Sequence, residues 1–442
     1  MNDTGRSERK STQRERLLRA MRVIAVDEGY AETTIAKVIA EAGVSRPTFY
    51  EYFSDKEDCF IATQREIAGR LLEQLRAAVE GQPAQRAVEG VIRTLVAFAG
   101  ESPLEARLLL CGALAAGPRA LDERDRIIGE TVAIIEQARA GSKPSAPTAD
   151  LPLWTLIGAV NWLLSRRLRS GEQDLGGLAE GLTCWAESYE RPLSEHRWRT
   201  LEPGALPPAS PFLSELPSGP PAILPPGRPR LSREEVARNQ RERILYATAE
   251  LASRKGYNAT SIAEIIASAG LDTRVFYSHF AEKQQAFLAA HELGFQHTMA
   301  VAAGAFFSAE SWPERTWQGI LAGTQFQASH PTLTHVLYVQ SYAIGAPAVQ
   351  RIDDTHAAFT IFLQEGNQQA TEPLSQIAME AIVAASFEIA FRLSREGRGE
   401  EMPGLAALST YLCLAPFLGA DAASRFVDQK TTDEAPSELT TG

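Results

Sequence analysis

Two short stretches of the chain concentrate side chains suited to recognition by hydrogen bonding. Arg46, Pro47 and Thr48 precede Phe49-Tyr50; Glu51 follows, and Lys56 comes six residues after Tyr50. Thr273, Arg274 and Val275 precede Phe276-Tyr277, with Ser278 and then Lys283 at the same offsets. Guanidinium, hydroxyl, phenol and ammonium groups at this density make a donor-rich surface, not a nucleophile with its base. G-x-S-x-G, H-E-x-x-H, P-loop and C-x-x-C patterns are all missing from the sequence, so the chain reads as a non-enzyme with no cofactor and no metal. Five histidines (His291, His297, His330, His335 and His356) crowd the second half. His291 and His297 are six apart rather than four, so solvated or hydrogen-bonded histidines are expected in place of a helical metal site.

The elements that position these residues come twice. Roughly twenty of the forty-seven residues between Arg14 and Phe60 recur 227 positions later, between Arg241 and Phe287, without a gap. That period is too long for a solenoid unit of about 20–50 residues, so it marks a duplicated domain. In each copy a helical stripe (Leu17, Met21, Ile24; Ile244, Thr248, Leu251) stops at Gly-Tyr. A second helix starts at Thr33/Thr34 or Thr260/Ser261 and stops at Ala42-Gly43 or Ala269-Gly270. Glycine there suits the left-handed conformation that ends a helix. Ser261 followed by Glu264 is a capping-box pattern, which Lys37 breaks in the first copy. Ser45 or Asp272 then caps a third helix, anchored by Phe49 and Phe53 or by Phe276 and Phe280. Two short helices joined by a tight glycine turn make a helix-turn-helix.

The stretches Thr33–Lys56 and Thr260–Lys283, with their A-G-V-S-x-x-x-x-Y-x-x-F-x-x-K pattern at Ala42–Lys56, resemble the head of the TetR family of bacterial transcription regulators. The resemblance implies an all-α fold: two TetR-like units, each a three-helix head plus a helical ligand-binding and dimerisation domain. It implies that Arg46, Pro47, Thr48 and Glu51, and Thr273, Arg274, Val275 and Ser278, face base edges. It further implies phosphate contacts from Thr33, Tyr50 and Lys56, and from Thr260, Tyr277 and Lys283. Base-facing positions differ between copies while scaffold positions repeat, so the heads are expected to read unequal half-sites. Arg228 and Arg230, just before the second head, are candidates for a minor-groove arm.

Elsewhere the sequence fixes organisation. The proline-rich segment from Leu201 to Pro229 cannot sustain a helix and reads as an extended linker. The expected division is a first head at 1–60, a first regulatory domain at 61–200, the linker at 201–229, a second head at 230–287, a second regulatory domain at 288–425 and a disordered tail at 426–442. Net charge is −11, yet residues 228–287 hold ten Lys/Arg against seven Asp/Glu, so global acidity does not veto a local DNA-facing surface. The apolar stretch from Leu153 is too short to span a bilayer, and the polar N-terminus has no apolar leader core; a cytoplasmic protein is expected. The expected partners are double-stranded operator DNA and an apolar or aromatic small-molecule effector. The two halves are expected to pair within one chain as a pseudo-dimer, with a homodimer as the rival arrangement. The competing function is an effector-binding or protein-interaction protein in which one or both heads have lost DNA binding. Trp154, Trp162, Phe306 and Phe307 are the aromatic residues considered for a cavity, with core packing as the ordinary use.

Overall fold

A computed structural model describes residues 3–140, 148–149, 151–172, 174–191, 208–215, 219–224 and 231–433. It separates into two compact units, Met1–Thr148 with Leu153–Glu187, and Ala149–Pro152 with Ser188–Gly442. Both are helical; two two-residue strands, Thr148–Ala149 and Glu190–Arg191, are the exceptions among the described residues.

In the first unit the head comprises α1 (Asp3–Asp27), α2 (Ile35–Ala42) and α3 (Arg46–Tyr52). The long α4 (Lys56–Val79) leaves the head and enters a bundle of α5 (Ala87–Glu101), α6 (Pro103–Arg107), α7 (Ala113–Ala116), α8 (Pro118–Ala140), α9 (Leu153–Ser170) and α10 (Leu178–Glu187). Between α6 and α7 the chain winds as a π-helix, Leu108–Gly112. The second unit repeats this order: head helices α11 (Arg233–Lys255), α12 (Ile262–Ala269) and α13 (Thr273–His279), then the long α14 (Lys283–Phe307). Its bundle holds α15 (Trp312–Ser329), α16 (Pro331–His335), α17 (Ser341–Ile344), α18 (Ala346–Phe359), α19 (Ile361–Gln369), α20 (Gln376–Arg395), α21 (Ala406–Leu418) and α22 (Ala420–Asp433). A π-helical stretch, Val336–Gln340, again separates the short helices. π-Helical turns are rare and concentrate at functional sites, so their recurrence at one place in both units is a feature of the duplicated design.

Each head is fixed by local chemistry. Thr34 caps α2 by accepting from the Lys37 amide, and Ser261 caps α12 within a complete capping box with Glu264. Gly43 and Gly270 end these helices at φ 60° and 59°. An L-residue held there costs about 1–2 kcal/mol, and an added Cβ on Gly43 would lie 2.6 Å from the Arg16 guanidinium. Ser45 accepts from the Thr48 amide at 3.2 Å, whereas Asp272 occupies the cap position without a side-chain bond. Phe49 and Phe276 are fully buried, each worth about 1.5–3 kcal/mol of transfer free energy, and they clamp the third helix down by its inner face.

Three features depart from expectation. The chain is ordered beyond residue 425, because α22 continues to Asp433 and fully buries Val427; residues 434–442 lie outside the described residues. Within the proline-rich segment, Pro211–Glu215 form a 3-10 turn. Phe212 and Leu213 pack against Val301, Ala305, Ala322 and Phe326, and Ser210 N–H donates to Gln325 at 2.8 Å, so apolar side chains dock part of the segment on the second unit. Among the described residues one stretch, Gly399–Leu418, is long and apolar enough to cross a membrane, but 72% of its apolar window is buried within the fold as core.

Candidate nucleic-acid interface and regulatory cavity

The two third helices present matching faces. Arg46, Pro47 and Glu51 are exposed and Thr48 is half-buried; Thr273, Arg274 and Ser278 are exposed and Val275 is half-buried. Tyr50 and Tyr277 are 49% and 54% exposed, large aromatic rings held outward by the buried phenylalanine beside each. The Arg46 guanidinium lies 6.0 Å from the Tyr50 ring centroid, and the Ser278 hydroxyl donates to the Val275 carbonyl at 2.7 Å. These side chains make continuous donor-rich surfaces on both heads.

Of the expected phosphate contacts, Thr33 and Thr260 face inward, while Lys56 and Lys283 are half-buried and already hydrogen-bonded within the head. Thr33 and Thr260 are 1% and 2% exposed, and their hydroxyls donate to Gly29 and Gly256 carbonyls at 2.8 Å. Lys56 donates to the Tyr30 carbonyl at 2.9 Å with its ammonium 4.0 Å from the Tyr30 ring. Lys283 donates to both Tyr257 and Thr260 carbonyls at 2.9 Å and sits 4.2 Å from the Tyr257 ring. Burial pushes both lysine pKa values down. Their work is to close the turn after the first helix, since an ammonium is the donor that can satisfy loop carbonyls and an aromatic face together. Arg228 and Arg230 lie outside the described residues.

Sequence reasoning missed the residues that brace the turn between second and third helices. The Arg16 guanidinium donates to the Gly43 carbonyl at 3.1 Å. Its counterpart Arg243, only 6% exposed, donates to the carbonyls of both Ala269 and Gly270. The repeated R-E-R of both copies was the available signal. A second missed feature is a reversed ion pair. Lys37 pairs with Glu28 in the first head, and Glu264 pairs with Lys255 in the second, the charges exchanged between equivalent positions. The Lys255 and Ser261 hydrogen bonds pull the Glu264 pKa down to about 2.

The regulatory bundles differ more. The second encloses a cavity of about 140 Å³ between α14, α15, α19, α20 and α21. Aromatic walls come from Phe306, Phe359, Phe362 and Phe387, so of the aromatic residues considered, Phe306 lines it, while Phe307 is 68% exposed. Its polar edge is the Tyr338 hydroxyl, which accepts from Gln327 Nε2 at 2.7 Å. The corresponding space in the first unit is about 20 Å³ and includes Trp162, with Arg124 5.6 Å from the Trp162 ring. His291, expected to be hydrogen-bonded or solvated, is instead buried with no partner among the described residues on either ring nitrogen, and burial lowers its pKa to about 4.

The family model described as bacterial regulatory proteins, tetR family, matches residues 17–63 and 244–290. Both heads belong to the tetR family. Among curated relatives, the chain is 34% identical over 61 residues to the fatty acid metabolism regulator protein of Bacillus subtilis, covering 14% of this chain and 31% of the relative. It is 30% identical over 112 residues to the HTH-type transcriptional regulator RutR of Escherichia coli, covering 25% of this chain and 51% of the relative. The chain thus spans between about a third and a half of these relatives' length. Similar solved structures include FadR from Bacillus subtilis in complex with stearoyl-CoA (TM-score 0.34, 17% identity, 39% of this chain and 96% of that one). Another is a TetR family transcription regulator from Marinobacter aquaeolei VT8 (TM-score 0.34, 19% identity, 42% and 98%). The tetR-family heads therefore occur as a tandem pair in one chain.

Proposed function

We propose that this chain is a DNA-binding transcription regulator, a ligand-responsive repressor whose two heads work as a pair. The observation that carries the reading is the twofold presence of an intact helix-turn-helix with an exposed polar third helix on a buried aromatic anchor. Helices of this kind enter the major groove, and successive grooves on one face lie about 34 Å apart. Arg46 and Arg274 suit guanine, the Val275 methyls suit thymine, and Glu51 suits a cytosine amino group. Tyr50 and Tyr277 would donate to phosphate oxygens and set register. Because those base-facing sets differ, the pseudo-dimer would favour an operator with unequal halves.

The cavity gives the chain a place for an effector. The long helix of each unit joins head to bundle, so filling a bundle cavity would shift heads between competent and incompetent states. Selection of bound sequences from random duplex DNA, at stated salt, tests the reading. A bipartite motif with unlike halves is expected. A palindrome, or a native mass of twice 48.1 kDa, replaces the pseudo-dimer with a homodimer. No enriched sequence replaces DNA binding with the protein-interaction reading, and the exposed Glu51 carboxylate makes the first head the one where that loss would fall.

A further inference from the structure

Deepening the ligand-responsive reading above, on which it rests, we propose that sensing is confined to the second unit: its cavity takes one uncharged, largely apolar molecule bearing a hydrogen-bond acceptor, and Gln340 carries occupancy to the second head.

The confinement follows from a residue-by-residue comparison of the bundles. Ser102 and His330 end α5 and α15 with the same backbone angles (φ −131°, ψ 57° and φ −128°, ψ 58°), which sets the correspondence between these helices. At that register Gly319 and Gly323 of the cavity wall stand where the first unit has Val91 and Leu95, both buried. At Gly323 an added Cβ would meet only Ala302, at 3.7 Å, so the missing side chain leaves room there, whereas at Gly319 Ala302 and Phe306 already close in to 3.2 Å. In the first unit Leu95 and Trp162 line and narrow the corresponding space. A remainder of about 20 Å³ is of the order of a single water site, whereas about 140 Å³ is of the order that admits a benzene-sized body.

The ligand class follows from the lining. Among the residues lining the larger cavity there is no Asp, Glu, Lys, Arg or His, so a charged group entering it would lose hydration without a counter-charge. The Tyr338 hydroxyl accepts from Gln327, so its own proton is what it has to offer. Burial keeps that phenol protonated. A carbonyl, ether or hydroxyl oxygen is the complementary group.

The route to the head is a hydrogen-bond chain through the π-helical stretch. Tyr338 lines the cavity, and Gln340 two residues on accepts from the Tyr257 amide of the head at 3.0 Å. The other end of the Gln340 amide meets His335 Nε2 at 3.2 Å, and His335 Nδ1 meets the Ser394 carbonyl of α20 at 3.2 Å. Helix α20 also supplies Ile382, Ser386 and Phe387 to the cavity. The cavity wall and the head turn are therefore joined through two side chains. In the first unit the corresponding π-helical residue is Gly112, where a Cβ would approach the Phe60 ring to 2.8 Å; no side chain can make this link there.

Calorimetric titration of full-length protein with phenol, an uncharged aromatic alcohol of benzene size, tests the site without DNA, so its outcome is independent of whether the heads bind an operator. One molecule per chain is expected. Gly323→Leu, which installs the first unit's residue, should weaken binding at least about tenfold. Tyr338→Phe should weaken phenol about fivefold, the worth of one hydrogen bond, and leave benzene unchanged. Two molecules per chain, no saturable binding, or binding that survives both substitutions overturns the assignment. For the relay, amide exchange at Tyr257 should change at least about threefold on phenol addition in the wild type, but neither in Gln340→Ala nor in Gln340→Glu, which keeps the acceptor for Tyr257 and loses the N–H that meets His335. An unchanged wild type, or a response that persists in either variant, overturns the role of Gln340.

Discussion

The two units share a plan and differ in what fills it. Both heads have the same glycine turn, the same lysine bonded to the first turn's carbonyl and the same outward tyrosine, and even a substituted ion pair is compensated by exchange of its charges. The bundles diverged in volume. Gly323 leaves room at the cavity of the second unit, while Leu95 and Trp162 narrow the corresponding space of the first. The difference appears where packing, not turn geometry, sets the outcome.

The largest expected effect attacks the packed bundle. Leu95→Ala should cost about 2–5 kcal/mol in denaturant unfolding, because it removes a buried side chain from a filled space. Gly323→Ala should go the other way by about 0.4–1 kcal/mol, since the new methyl would lie 3.7 Å from Ala302, an ordinary contact. Equal effects at the two sites would erase the distinction between bundles. Next, Arg243→Met should destabilise by about 2–3 kcal/mol, leaving buried carbonyls at the turn unsatisfied. Arg16→Met, at a more exposed site, should cost less than about 1 kcal/mol by the same urea measurement.

Smaller effects concern the proposed reading surfaces. Arg46→Ala and Arg274→Ala should each lose about 1–3 kcal/mol of base discrimination, measured against permuted half-sites, and each at a different half. Tyr50→Phe and Tyr277→Phe should leave sequence preference alone and reduce the salt dependence of binding by about one phosphate contact each. If Arg46 proves silent, DNA reading rests with the second head. The smallest effect is a pH dependence in the second head. Glu264 has a folded pKa of about 2, below its ordinary value near 4.5. Its contribution is therefore present above about pH 4.5 and lost as pH falls towards 2. Glu264→Gln should flatten the acid limb of a melting-temperature profile over that window.

Much of this was legible in the chain. The 227-residue repeat, the glycines at 43 and 270, the capping serines and the phenylalanine anchors all act within a few residues of themselves, and local rules suffice for such features. The exchanged ion pair was also written there, since Glu28 and Lys37 become Lys255 and Glu264, but it needs the fold to show that the positions touch. That Lys56 and Lys283 also bond within the head was not legible, because the carbonyls they meet lie 26 residues away. Thr33 and Thr260 were misjudged as surface groups, because their burial and their bonds to the Gly29 and Gly256 carbonyls come from how the turn folds back. Arg243 shows the limit well. Its type and position repeat, but only the crossing of α11 over the end of α12 buries it.

What the sequence determined alone was the helical class, the tandem heads and the place of each turn, because helix periodicity, caps and left-handed glycines are properties of short segments. What only the tertiary structure decided was which polar side chains face out, and that one bundle is hollow while its copy is filled. Those outcomes depend on how side chains from helices distant in sequence share one volume, and a single methyl group in that shared space is enough to change the result.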